Sequence, residues 1–149
     1  MKIFFIVLFL QATIYSFGQN LLGVWQENSP VVTSGYHNVY QFNNDGTFKF
    51  KTDEYFGLNR IISINGTYKV LNSFIHLNIT STTEFVGGTV ERSITSGEAS
   101  DSWELVGGKV KTIQLAKPVN INFLIQSKES DYDDAELMIF DKKKYYKIK

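Results

Sequence analysis

Apolar and polar side chains alternate along most of this chain. Phe48 and Phe50 are interleaved with Lys49 and Lys51, and Ile62 and Ile64 with Ser63 and Asn65. Ile75, Leu77 and Ile79 alternate with His76 and Asn78, and Ile121, Phe123 and Ile125 with Asn120, Asn122 and Gln126. Successive side chains of a strand point to opposite faces, so each stretch buries one face and wets the other. Turn residues separate the stretches: Asn43-Asn44-Asp45-Gly46, Leu71-Asn72-Ser73, Gly87-Gly88, Gly107-Gly108 and Asp141-Lys142-Lys143. Asp-Gly between two alternating runs is a strong hairpin signal. The pattern predicts strands over 22–27, 36–43, 46–53, 60–70, 74–81, 88–96, 102–106, 109–116 and 119–127, and a hairpin over 136–149. The best helical candidate is short, residues 129–138, with Ser130 placed to cap it. Many short strands joined by tight turns imply an antiparallel meander, and closure into a barrel hides its edges.

The first segment reads differently. Lys2 precedes an unbroken apolar run from Ile3 to Leu10, and Ser16-Phe17-Gly18 places small residues where a signal peptidase cuts. This order predicts a secretory signal peptide over residues 1–18 and one domain over 19–149. As a helix the run spans about 12 Å against roughly 30 Å of hydrocarbon, so it does not predict a transmembrane anchor. The expected location is therefore exported, either periplasmic or secreted.

Composition narrows the chemistry. The chain has no cysteine, which excludes disulfides, thiol nucleophiles and thiolate metal sites. Exported eukaryotic domains of this size usually carry disulfides, so their absence points to a bacterium. The formal charge is zero, and removing Lys2 with the leader leaves −1, which does not steer the protein toward nucleic acid or an anionic membrane. Twelve Phe and eight Tyr against two Pro suit a sheet with well-filled faces.

Leu22-Gly23-Val24-Trp25 is similar to the Gly-x-Trp opening of lipocalin-like domains. Tyr40-Gln41-Phe42-Asn43-Asn44-Asp45-Gly46-Thr47-Phe48 resembles the aromatic strand and Asp-Gly-Thr-Phe turn of bacterial lipocalin-like proteins. Gly66-Thr67-Tyr68-Lys69-Val70, followed by Ile75-His76-Leu77, resembles their Gly-x-Tyr hairpin, and Ser130-Asp131-Tyr132 faintly echoes their Thr-Asp-Tyr loop. The resemblance covers roughly the first half of the mature chain. It implies an all-β, antiparallel up-and-down β-barrel of about eight strands, with an internal cavity open at one end for a small apolar ligand. Lipocalins usually pack an Arg near the chain end over the opening Trp. This chain ends Lys142-Lys143-Lys144-Tyr145-Tyr146-Lys147-Ile148-Lys149, where a Lys could serve through its stem and a cation–π contact.

Trp25 is the foremost candidate residue. It is either a plug bonded to backbone through its indole N–H or a pocket wall, and the plug is the stronger reading. Tyr40, Phe42, Phe48, Phe50, Tyr68, Ile75, Leu77, Ile121 and Phe123 are expected to face inward. Of these, Tyr40, Phe42, Phe48, Phe50, Tyr68, Leu77 and Phe123, with Trp25, are the candidate ligand contacts. An eight-stranded interior is either filled by such side chains or holds one small ligand. His37 and His76 are the two histidines, and His76 alternates out of phase with its apolar neighbours, a surface position rather than a base. No Gly-x-Ser-x-Gly or His-Glu-x-x-His motif appears, so neither an enzyme nor a cofactor or metal is expected. Asp131, Asp133, Asp134 and Glu136 lack the Gly and distal Glu of an EF-hand and read as a solvated loop. Phe48-Lys49-Phe50-Lys51 has the composition of a single-stranded nucleic-acid groove, but a half-buried strand with a wet Lys face explains it. The terminal lysines are expected to guard an edge strand. The leading expectation is an exported binding protein for a small hydrophobic or amphipathic ligand. The alternative is a rigid scaffold contacting a protein or cell-envelope partner through the loops 28–35 and 98–101.

Overall fold

A computed structural model describes residues 21–31, 37–53, 57–93 and 103–148, and every regular element among them is a β-strand. The expected signal peptide and the 98–101 loop lie outside the described residues, as does the second half of 28–35. The strands are β1 (Gly23–Glu27), β2 (Val39–Phe42), β3 (Thr47–Lys51), β4 (Ile61–Leu71), β5 (Phe74–Val86), β6 (Thr89–Arg92), β7 (Trp103–Val106), β8 (Lys109–Leu124), β9 (Gln126–Lys128), β10 (Leu137–Phe140) and β11 (Lys143–Ile148). Nine of them form one curled sheet in the order β8-β5-β4-β3-β2-β1-β11-β10-β9, and β6 and β7 form a separate hairpin. Every pairing is antiparallel.

The turns follow from local chemistry. Gly46 takes φ +79 between β2 and β3, while the Asp45 carboxylate accepts from the Thr47 N–H and hydroxyl. Positive φ at Asn72 and Ser73, and again at Asp141 and Lys142, gives the two mirror-type turns that match strand twist. At Gly66 the strands approach too closely for any side chain: a Cβ there would lie 2.0 Å from the Asn78 carbonyl oxygen. The ladder between β4 and β5 shifts register at that point, bending the sheet.

The last strand pairs with the first: Val24 faces Ile148 and Glu27 faces Tyr145. The two strands at the ends of the sheet order, β8 and β9, are separated in sequence by Ile125 alone. The Ile125 N–H bonds the Ser73 carbonyl in the β4–β5 turn. The sheet is thus a half-barrel whose two edges meet at one residue. Its concave face is filled by Trp25, Tyr40, Phe42, Phe48, Ile75, Leu77, Ile79, Met138, Phe140 and Tyr145, with Leu21 beneath. Phe140 stacks on Tyr145 at 4.0 Å between centroids, Tyr40 meets both edge-on, and Phe42 meets Tyr68 at 4.9 Å. Each such pair adds about 0.5–1.5 kcal/mol beyond its buried area.

Three expectations are corrected. Residues 129–138 form no helix. The Ser130 hydroxyl caps a tight turn by accepting the Tyr132 N–H, Asp131 is held by Lys144, and Leu137 onward joins β10. The lysine-rich end guards no edge, because closure places β11 between β1 and β10. Its lysines instead meet Glu27, Asp131 and Glu136 at 2.9, 2.6 and 3.2 Å. The runs 109–116 and 119–127 are not two strands, since Pro118 lies within one long strand, β8. Pro118 is tolerated there because residues 115–118 bulge opposite Thr80 on a sheet edge.

Candidate functional site

The residues singled out from sequence converge on the concave face but differ in how they sit there. Trp25 is 1% exposed, and Tyr40, Phe42, Phe48 and Leu77 are buried with it. Phe50, Tyr68 and Phe123 are partly buried and pack against that group, as do Ile64, Leu115 and Ile121. The Trp25 indole N–H donates to the Leu21 carbonyl at 2.8 Å. The Lys147 ammonium stands over the indole, 5.5 Å from the ring centroid, within cation–π range. Gly23 leaves room for the Lys147 stem, since a Cβ there would approach its Cε to 3.2 Å.

At one end of this face a polar set surrounds the rings. Glu27 is buried, accepts from the Asn38 amide and pairs with Lys143 at 2.9 Å. Burial first, then the charges of Asp141 and Glu27, pushes the Tyr40 phenol above its ordinary range. Tyr145 is pushed the same way by burial, Tyr40, Glu27 and Asp141. Both therefore stay protonated hydrogen-bond donors at physiological pH.

A cleft of about 330 Å³ opens where β3 ends, β4 begins and β5 ends. Ile61, Ile62, Phe85 and Leu105 supply its apolar wall, and Thr52, Asp53, Asn59 and Glu104 its polar groups, with Gly57 beside them. The β6–β7 hairpin completes it. Both legs of this hairpin pass through paired glycines, Gly87-Gly88 and Gly107-Gly108, three of which take φ near +78. That backbone turns the hairpin alongside residues 57–60, where the Leu105 N–H bonds the Gly57 carbonyl at 3.1 Å. Arg60 donates to the Gly87 carbonyl at 2.9 Å from the other side. The glycines cannot be replaced freely: a Cβ at Gly108 would lie 2.2 Å from the Phe85 ring.

A second hollow, about 430 Å³, lies on the convex face among Gln41, Asn43, Lys49, Asn65 and Thr67. Of the candidate contacts, Phe48 alone lines either hollow. Sequence reading missed the cleft residues because they come from four separate segments. The paired glycines were the available signal, marking where the chain reverses over β4.

The remaining candidates lie elsewhere. His76 points outward and bonds the Asn122 amide oxygen at 2.7 Å. His37 precedes β2, and neither histidine lines the cleft. Asp131 bonds Lys144 and Tyr146, and the Lys144 bond holds its carboxyl below the usual range. Among the described residues no three His, Asp or Glu side chains gather into a metal-holding group. Lys49 pairs across the sheet with Gln41 and Asn65, on the face opposite Phe48 and Phe50. No helix among the described residues is long and apolar enough to cross a membrane. No family model, curated protein or solved structure matches the chain.

Proposed function

We propose that the protein is an exported, non-catalytic binding protein of lipocalin-like build that holds a small hydrophobic or amphipathic ligand. The cleft under the β6–β7 hairpin carries this reading. It has the volume of a small-ligand site, an apolar wall and a few polar groups on one side. The half-barrel supplies its floor, since Ile62 and Phe85 lie on the strands β4 and β5, which also carry Ile64, Tyr68, Ile75, Leu77 and Ile79 of the packed face. The filled aromatic interior argues for the ligand at the end of the sheet rather than among Trp25, Tyr40 and Phe42. The resemblance in the Gly23-Val24-Trp25 opening and the Asp45-Gly46 hairpin supports the lipocalin-like build. Native mass spectrometry of the full chain with medium-chain acids, alcohols and amines tests the proposal. One-to-one complexes are expected, lost in Leu105→Asp, and the absence of any complex overturns it.

One observation favours a second reading, a scaffold that docks a protein partner. Val90, Trp103 and Val110 are each more than half exposed on the hairpin and the adjoining part of β8. On that reading V90S/W103S abolishes partner binding and leaves the small-molecule complexes unchanged.

A further inference from the structure

Resting on the cleft as a small-ligand site, we infer that its ligand is a cationic amphiphile, a small molecule with one ammonium-type head and a short apolar body. Asp53 and Glu104 are the two charged residues in the lining, and both are carboxylates. Lys51 and Arg60 adjoin the lining without belonging to it, and the Arg60 guanidinium is turned to the Phe85 and Gly87 carbonyls at 3.4 and 2.9 Å. The hairpin register adds an independent argument. Glu104 stands directly opposite Glu91, and like charges opposed across a ladder destabilise it. A cation seated against Glu104 offsets that repulsion, whereas an anion adds to it. Thr52 and Asn59 offer further oxygens to an ammonium, while Ile61, Ile62, Phe85 and Leu105 receive the apolar body. A volume near 330 Å³ is at the small end for ligand sites, which suits a short chain or a single ring. The protein as a whole is formally neutral, so the preference arises from the cleft and not from overall attraction.

Octylammonium, octanol and octanoate share one chain and differ in head charge. Calorimetric titration of the full chain with each, in low and high salt, is the test. Octylammonium is expected to bind roughly threefold to tenfold more tightly than octanol, with octanoate weakest, and added salt is expected to shrink the difference. In Glu104→Gln the ratio of octylammonium to octanol affinity falls toward one, and Asp53→Asn acts in the same direction. Glu104 lies on a half-exposed strand, and an unchanged circular dichroism spectrum confirms that the variant is folded. If octanol or octanoate binds as tightly as octylammonium, or if Glu104→Gln keeps the preference, the cationic assignment is overturned and the binding reading stands. If none of the three binds, both fall.

Discussion

Trp25 donates its indole N–H to Leu21 and lies beneath the Lys147 ammonium, so its replacement removes packing, a hydrogen bond and a cation–π contact together. Trp25→Ala is expected to cost about 3–5 kcal/mol, measured by urea unfolding, while Lys147→Met, which keeps the stem, is expected to cost under about 1 kcal/mol. The buried phenols set the alkaline limit. Tyr40 and Tyr145 hold their protons in the folded protein, whereas the unfolded chain releases them near pH 10. Because their folded pKa values are raised, stability is full below the unfolded value and declines as pH climbs past it. Absorbance titration should show these two ionising only with unfolding, and Tyr40→Phe should move the alkaline midpoint upward. Asp131 behaves in the opposite sense. Its carboxyl is lowered by Lys144, so its small, exposed contribution is present above the ordinary carboxylate range and disappears as acid protonates it.

The β6–β7 hairpin and β8 show two uses of elements at the margin of the sheet. The hairpin is set by glycines in both legs, and Phe85 fills the space left by the missing side chains of Gly88 and Gly108. Gly108→Ala should displace that ring, weaken octanol binding severalfold and raise hydrogen exchange in β6 and β7 while the nine-stranded sheet stays protected. Strand β8 pairs with β5 alone among the described residues and shows most of its length to solvent. Such an edge invites pairing with other chains. Pro118, the bulge at 115–118 and Lys109, Lys111 and Lys117 obstruct it. Lys117→Val with Pro118→Val should therefore promote self-association, visible in sedimentation, with little change in the melting of the monomer.

The whole molecule shows which signals a linear sequence carries. Strands with one wet face announced themselves: Phe48/Lys49/Phe50/Lys51 and Ile75/His76/Leu77 alternate because one side meets water. The Asn43–Gly46 turn and the Trp25 plug were legible for similarly local reasons. Phe140 and Tyr145 gave no such pattern, although they stack at the centre of the core. Their strands are buried on both sides, Tyr145 inside and Tyr146 beneath Tyr132 outside, so alternation vanishes. The cleft was illegible because pairing across β3, β4 and β5 gathers Thr52, Ile62 and Phe85 from distant segments, and Leu105 joins them only after the glycine pairs fold the hairpin back. Removing β11 by truncation after Phe140 should abolish cooperative thermal unfolding, since it strips the partner from both β1 and β10. The junction at Ile125 has a different consequence, for how such a chain can change in length. A residue added at the Gly107-Gly108 reversal lengthens an exposed corner and turns no side chain over. A residue added beside Ile125 inverts inside and outside for everything beyond it until the next turn, setting Ser127 and its β10 partner out of phase. Position 125 is therefore where this lineage should accept substitutions of similar size but neither insertions nor deletions.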